Sequence, residues 1–272
     1  METQIHRYTV DGPGSVNSYV VETADAVVLI DAQRQISSAV GLADLAQRTG
    51  KPVRMILLTH PHPDHFGGLA HLKSCFPDAE LAMSAAAADE LETDSRGYFA
   101  LTRQVLPDDT AEELPRPDRI LAGDDVIEVS GINLRATEWG LGECFTAMTF
   151  AEDQLGAVFC ADIVTNGMTP FLLEGRTREW LDQIDALERC FDGETVAYSG
   201  HGAEAPLKHL AEQTRSYLML VRDAVAAGRT TTSIRDEVDQ AYPGYLPVAE
   251  IPDLVVANIE AVRSEFARGE GV

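Results

Sequence analysis

Basic side chains are scarce in this sequence. Its 272 residues include 21 lysines and arginines against 44 aspartates and glutamates, so the formal net charge is −23. A surface with this charge repels phosphate backbones and anionic lipids. We therefore expect a small-molecule substrate and neither nucleic acid nor a membrane as partner. The excess acid is interpreted as an adaptation for solubility. Association into a homo-oligomer is compatible with the sequence but not indicated by it.

Cysteine is also scarce, and the cysteines show no pairing pattern. Cys75, Cys144, Cys160 and Cys190 have no C-x-x-C spacing, and a chain of this length can bury a core without disulfides. We interpret them as reduced thiols of a cytoplasmic protein. No basic start followed by an apolar block is present at the N-terminus, and no apolar run is long enough to span a membrane. The sequence also lacks internal repeats and low-complexity segments.

Metal-ligand residue types are concentrated directly after an apolar run, Met55 to Leu58. They are His60, His62, Asp64 and His65. Prolines 61 and 63 fix their own φ and keep the preceding histidines out of the α region. The pattern predicts a strand, a stiff extended loop, and then a helix from about residue 69. His60 and His62 can bind one metal ion, while Asp64 and His65 turn toward a neighbouring position. Imidazoles with a carboxylate suit zinc or iron rather than calcium or magnesium.

The segment Thr59-His60-Pro61-His62-Pro63-Asp64-His65 resembles the H-x-H-x-D-H signature of the metallo-β-lactamase-fold superfamily. The resemblance can be followed from about Val16 to about Leu210. It implies the α+β class, as a four-layer αββα sandwich with a one- or two-metal site at one edge of the two sheets. Most members hydrolyse thioesters, lactones, β-lactams or phosphoesters, and a minority are iron redox enzymes. Fold alone does not choose among these activities.

The superfamily's usual third histidine is missing. No histidine lies between His71 and His201. Alignment on the strand that follows places Glu143 at that position. Glutamate binds zinc in known catalytic sites. Compared with imidazole, it makes the bound ion a weaker Lewis acid and shifts the metal preference of the site toward iron or manganese. Two alternatives stay open: Glu138 or Cys144 replaces it in a different register, or the first site is degenerate and empty.

The resemblance implies two further ligands. Asp162 ends a strand like the family's Gly-Asp strand, whose carboxylate bridges two metals, although Ala161 stands in place of the glycine. His201 lies in a Gly-His-Gly turn that resembles the family's last ligand. By resemblance the first site is His60, His62 and Glu143, and the second is Asp64, His65 and His201, with Asp162 between them.

Asp31 is expected to support the metal loop. It closes a predicted hairpin of residues 17–22 and 26–31, and the resemblance assigns such an aspartate to fixing the histidine loop. The alternative is that it caps the following helix, residues 37–48.

The remaining elements are predicted from periodicity and turn residues. Further hairpins are predicted over residues 124–137 and 145–160, and helices over 84–105 and 177–189. Residues 1–204 are interpreted as the metal-binding domain. Residues 205–272 are interpreted as a helical C-terminal extension with three helices, at 205–228, 233–242 and 251–268. In the loop after Asp162, Met168 and Phe171 are expected to contact substrate, or alternatively to pack beneath the helix at 177–189.

The expected activity follows from charge. Two adjacent divalent ions lower the pKa of bound water enough to supply hydroxide near neutral pH, and Asp64 can orient it or accept its proton. We therefore predict a dinuclear metal-dependent hydrolase of a small acyl substrate such as a thioester, lactone or related ester or amide. Zinc is the expected metal, with iron and manganese as alternatives. The competing hypotheses are an iron-dependent redox enzyme on the same fold and a non-catalytic binding protein with an incomplete site.

Overall fold

The computed structural model describes residues 3–249 and 251–269. A first six-stranded sheet has its strands in sequential order, β1 to β6. They are β1 (Gln4–Thr9), β2 (Asn17–Glu22), β3 (Val27–Ile30), β4 (Val53–Leu57), β5 (Glu80–Ser84) and β6 (Arg119–Leu121). The pairs β1–β2 and β2–β3 are antiparallel, and the pairs from β3 to β6 are parallel. The parallel part explains the apolar runs, because strands covered on both faces have no polar alternation.

The second sheet has the strand order β13-β12-β10-β9-β8-β7. Its strands are β7 (Val126–Val129), β8 (Ile132–Trp139), β9 (Ala147–Glu152), β10 (Ala157–Phe159), β12 (Val196–Tyr198) and β13 (Ala205–Pro206). Ser130 and Gly131 both have positive φ, of 48° and 87°, as a tight hairpin turn requires. The predicted hairpins are confirmed. A short parallel pair, β11 (Met168–Thr169) with β14 (Leu246–Pro247), was not predicted.

The helices confirm most of the predicted pattern. They are α1 (Ile36–Arg48), α2 (Pro63–Phe66), α3 (Leu69–Cys75), α4 (Ala85–Thr93), α5 (Tyr98–Val105), α6 (Thr177–Cys190), α7 (Leu207–Ala226), α8 (Thr231–Ala241) and α9 (Leu254–Ala267). One expectation was wrong in detail, because the loop is not extended throughout. His62 is extended, but Pro63 begins a helical turn, since the fixed φ of proline suits the first helical position as well as an extended loop.

The chain forms two compact units. The first contains Met1–Val10, Val16–Trp139 and Thr146–Ala161, and the second contains Asp11–Ser15, Gly140–Phe145 and Asp162–Val272. In the first unit, apolar side chains of β3 and β4 pack against those of α1 and α3. In the second, α6 and α7 pack together, and Trp180 donates its indole N–H to the carbonyl of Ile163 at 2.8 Å. The division predicted after residue 204 stays a prediction.

The α+β class with two sheets is confirmed. None of the four cysteines, Cys75, Cys144, Cys160 and Cys190, forms a disulfide bond. No helix among residues 3–249 and 251–269 combines the length and apolar character that crossing a membrane requires.

Candidate metal centre

The metal loop places three imidazoles together in the first unit. His60 and His65 are fully buried, and His62 is 6% exposed. The ring centroid of His60 lies 4.7 Å from that of His62 and 4.1 Å from that of His65. The carboxylate of Asp64 lies 3.8 Å from Nε2 of His65. The turn of α2 therefore gathers the clustered ligand types rather than spreading them along the surface.

Asp31 contacts both ends of this loop through its carboxylate. Its Oδ1 accepts the backbone N–H of Thr59 at 2.8 Å, and its Oδ2 lies 2.9 Å from the Thr59 hydroxyl and 2.8 Å from Nδ1 of His65. The same hydroxyl lies 3.0 Å from Nδ1 of His60. With each Nδ1 engaged by an oxygen, Nε2 is the nitrogen that these two rings offer to a cation.

A residue other than Asp31 binds the start of helix α1, which Asp31 was alternatively expected to cap. Helix α1 begins at Ile36, and the N–H of Ser37 donates to Oδ1 of Asp109 at 2.8 Å. Asp109 lies in the connection between α5 and β6, which is rich in acidic residues and proline. The contacts of Asp31 are those of a residue that supports the loop, and its effect on a bound metal stays a prediction.

In the second unit, Asp162 and His201 lie side by side. Oδ2 of Asp162 is 3.0 Å from Nε2 of His201, and both residues are buried. Nδ1 of His201 lies 2.5 Å from the carbonyl oxygen of Ser15. The turn that carries His201 requires glycine after it, because Gly202 has φ +85° and a Cβ there would lie 1.9 Å from the carbonyl oxygen of Asn166.

Glu143 lies in the short connection between β8 and β9. It is 4% exposed, and the N–H of Gly142 donates across it to the carbonyl of Cys144 at 3.0 Å. Of the two alternative third ligands, Glu138 lies on β8 and accepts a hydrogen bond from Thr146, and Cys144 is buried.

Ligand atoms from these segments form three close groups, in each of which the atoms all lie within 4.8 Å of one another. The groups are His60, His62 and Glu143; Asp64, His65 and His201; and His60, His65 and Asp162. The first two have the composition predicted for the two sites, and the third joins Asp162 to one histidine of each. Within the described ranges, neither Glu138 nor Cys144 belongs to such a group.

The donor set fits divalent transition metals. It offers imidazole nitrogens and carboxylate oxygens, which suit zinc, iron and manganese. Three carboxylates, those of Asp64, Glu143 and Asp162, lie in these groups, and the latter two are at most 5% exposed. Burying carboxylates is costly unless cations compensate them. Divalent ions bound here would offset this charge.

The residues predicted to contact substrate lie in the second unit. Met168 is 6% exposed and packs with Val248 and Leu254, and Phe171 is partly buried against the same cluster. Packing therefore accounts for Met168, against the tail rather than against α6. Contact of Met168 and Phe171 with substrate stays a prediction.

Two supporting groups were not found from the sequence. The Thr59 hydroxyl stands directly before the first histidine, so its position in the motif was a usable signal. The Ser15 carbonyl gives no signal, because every residue has a backbone carbonyl and only the fold selects this one.

Comparison with known proteins decides the family. The model of the metallo-beta-lactamase superfamily matches residues 11–201. The chain belongs to this superfamily. The resemblance drawn from the histidine motif is thus confirmed, together with the α+β fold.

Among curated relatives, hydroxyacylglutathione hydrolase of Xanthomonas campestris pv. campestris (strain B100) is 28% identical over 163 residues, which cover 60% of this chain and 52% of the relative. The chain thus spans about half the length of that relative. At the level of the family, this likeness supports a metal-dependent hydrolase.

Solved structures extend the likeness to the whole chain. The metallo-beta-lactamase family protein TTHA1429 of Thermus thermophilus superimposes with a TM-score of 0.70 at 22% identity, covering 98% of this chain and 94% of the other. TTHA1623, solved in a di-iron-bound form, has a TM-score of 0.59 at 25% identity over 75% and 95% of the two chains. FIM-1 of Pseudomonas aeruginosa, solved in a mono-zinc form, has a TM-score of 0.58 at 19% identity over 79% and 89%. This fold therefore binds divalent metals of more than one kind.

Proposed function

We propose that this protein is a metal-dependent hydrolase with two divalent ions that cleaves small acyl substrates, above all thioesters and, as related substrates, lactones. The observation that carries the proposal is the grouping of imidazoles and carboxylates within 4.8 Å of one another. The relation to hydroxyacylglutathione hydrolases favours an acyl compound over a phosphoester. The net charge of −23 does so too, because it opposes anionic polymers.

The proposed ligand roles follow the groups. His60, His62 and Glu143 would hold one ion, and Asp64, His65 and His201 would hold the other. Asp162 is grouped with one histidine of each set. When bound, the two ions polarise the substrate carbonyl and lower the pKa of coordinated water.

The chain's own residues orient this chemistry. Asp31 and the Ser15 carbonyl fix the rings of His65 and His201 through Nδ1, so that Nε2 keeps one direction. The carboxylate of Asp64 is less buried than the histidines, with 21% of its side chain exposed. It is therefore the group best placed to accept a proton from the attacking water. No serine or cysteine nucleophile is needed.

The metal we propose is zinc, with iron or manganese as alternatives. Three or more imidazoles with carboxylates suit zinc. Glu143 in place of an imidazole makes the first site harder and more anionic, which favours iron or manganese relative to an all-histidine site.

The test combines metal analysis with a substrate panel. The purified protein is analysed for zinc, iron and manganese, and is then offered acyl-glutathione thioesters, acyl-coenzyme A thioesters and lactones. We expect two ions per chain and turnover of at least one thioester. Asp162→Asn should lower turnover at least about 100-fold, because several kcal/mol of transition-state stabilisation is lost.

Asp124→Asn, which alters an exposed carboxylate remote from the groups in sequence, is the matched control and should retain turnover. Because Cys190 is an exposed free thiol, the assay should follow loss of the thioester absorbance rather than release of thiol. Two bound ions without turnover across the panel would contradict hydrolysis of acyl substrates.

A second candidate is an iron-dependent redox enzyme, which the harder Glu143 donor and the likeness to a di-iron protein favour. This candidate requires coloured, iron-containing protein whose absorbance changes on reduction. Colourless protein that holds zinc and hydrolyses a thioester removes it.

A further inference from the structure

Helix α6 carries a buried amide on its apolar face. Among its buried residues, Gln183 is 6% exposed and lies beside Trp180, Ile184 and Leu187. A glutamine there displaces an apolar side chain that would pack without needing hydrogen bonds. A buried amide is stabilised by hydrogen bonds to its neighbours, so the partner of Gln183 indicates its role.

That partner is the connection that carries Glu143. Nε2 of Gln183 donates to the carbonyl oxygen of Gly140 at 2.6 Å. Gly140 is the first residue after β8, so the amide fixes the point at which the connection leaves the sheet. The contact belongs wholly to the second unit.

The same amide also touches the connection two residues further on. A Cβ at Gly142 would lie 2.0 Å from Oε1 and 2.2 Å from Cδ of Gln183. Position 142 therefore accepts only glycine while Gln183 keeps its place. The N–H of Gly142 in turn donates to the carbonyl of Cys144 at 3.0 Å, which closes a turn around Glu143.

This arrangement meets a need that Glu143 creates. A glutamate has one more rotatable side-chain bond than a histidine, and ordering it costs up to about 2 kcal/mol. Holding the backbone at residues 140 and 142 does not change this side-chain cost. It removes the further cost of ordering the main chain when a cation binds.

We infer that Gln183 is the positioning residue for Glu143, and that it sets the metal affinity of the first site. The inference rests on the proposed function in one respect, because it requires Glu143 to be a metal ligand. In this inference Gln183 is not itself a ligand. It acts through the backbone of residues 140–144.

The test measures Zn²⁺ binding to the metal-free protein by competition with a chromophoric chelator. Gln183→Met keeps the length of the side chain and removes the donor. With two ions per chain, Zn²⁺ binds in two steps. We expect Gln183→Met to weaken the step that Glu143→Ala also weakens, by about 10- to 100-fold, and to leave the other step unchanged. Asp182→Ala, at the exposed neighbouring position of α6, should bind Zn²⁺ like the wild type.

If Gln183 had a merely structural role, Gln183→Met would lower the melting temperature of the metal-free protein and weaken both Zn²⁺-binding steps together. Equal loss in both steps therefore overturns the inference, and so does wild-type affinity in Gln183→Met. If Glu143→Ala binds Zn²⁺ like the wild type, Glu143 is not a ligand, and the proposed first site fails along with the inference. If Glu143→Ala weakens one step and Gln183→Met does not, only the inference fails.

A second variant tests the contact from the other side. Gly142→Ala forces the amide away and should weaken the same step. In Gly142→Ala with Gln183→Ala the overlap is gone, so the double variant should bind Zn²⁺ no more weakly than Gln183→Ala alone, because both changes break one contact. Losses that multiply would show that the two residues act independently and would overturn the inference.

Discussion

Oδ2 of Asp31 lies 2.8 Å from Nδ1 of His65, and the same carboxylate accepts the N–H and the hydroxyl of Thr59. One buried side chain thus fixes both the entry to the metal loop and the last ring of the motif. Asp31 has φ +61°, a conformation that asparagine also adopts readily.

Asp31→Asn therefore isolates the loss of charge and acceptor capacity without straining the backbone. The amide group presents a donor where donors already point, so we expect a loss of about 3 kcal/mol in the free energy of unfolding of the metal-free protein. Zn²⁺ affinity should fall about 10- to 100-fold. Urea unfolding and chelator competition measure the two effects. Asp25→Asn, in the exposed turn after β2, should change the free energy by less than about 0.5 kcal/mol.

Ala161 precedes Asp162 in a left-handed conformation, with φ +50°, where the superfamily usually has glycine. Ala161→Gly should stabilise the protein by about 1 kcal/mol, because the strain of a Cβ in this region exceeds the entropy that glycine adds to the unfolded chain. Ala100→Gly, at an exposed position in helix α5, should have the opposite sign and similar size. A destabilised Ala161→Gly variant in thermal or urea unfolding would contradict this account.

Glu22 accepts hydrogen bonds from Lys51 and His6, and these bonds, that of Lys51 foremost, lower the pKa of its carboxyl. A carboxyl whose pKa is lower in the folded chain stabilises the fold above its unfolded pKa of about 4.3 and loses that contribution as the pH falls through the folded value. Glu22→Gln should therefore cost up to about 1 kcal/mol near pH 6. The difference from wild type should disappear in acid. Urea unfolding from near pH 6 into acid measures this difference in the free energy of unfolding. A difference that grows as the pH falls would refute the prediction.

Glu265 is fully buried on α9 and accepts from the N–H and hydroxyl of Thr177 and from Arg222 at 2.8 Å. Arg222→Met leaves this carboxylate without its cation and should cost about 3 to 5 kcal/mol in the free energy of unfolding. Adding Glu265→Gln should recover part of that loss, which a double-mutant cycle measures. Arg116→Met removes an exposed pair with Glu92 and should cost less than about 0.5 kcal/mol.

Glu143→His restores the ligand that the superfamily normally uses. If the proposed first site is correct, the variant should still bind two ions and should prefer zinc over manganese more strongly than the wild type does, because imidazole is the softer ligand. Competition between the two metals, read by metal analysis after dialysis, checks the shift. An unchanged preference would place residue 143 outside the metal site.

Local sequence patterns predicted most of the secondary-structure elements of the fold. The hairpin around Ser130 and Gly131 and the tail helices α7 to α9 were predictable because alternation and turn residues lie within a few positions of one another. The short pair β11–β14 was not, since two-residue strands far apart in the chain have no periodicity. Pro63 misled for a physical reason, because its fixed φ suits both an extended loop and the start of a helix.

The candidate ligands were visible as residue types after strand ends, but what holds them was not. The Ser15 carbonyl beside His201 has no signal in residue type. The amide of Gln183 reads in sequence as an ordinary polar position of an amphipathic helix. Support through the backbone becomes visible only once the fold brings distant segments together.

The N–H of Gly14 donates to the carbonyl of Pro247 at 2.9 Å, next to the Ser15 carbonyl that meets His201. During synthesis on the ribosome, the segment before β2 emerges long before this partner does. The carbonyl that orients His201 is therefore secured only after residue 247 has emerged, so nascent chains halted before that residue should fold their first sheet without a fully ordered ring at position 201.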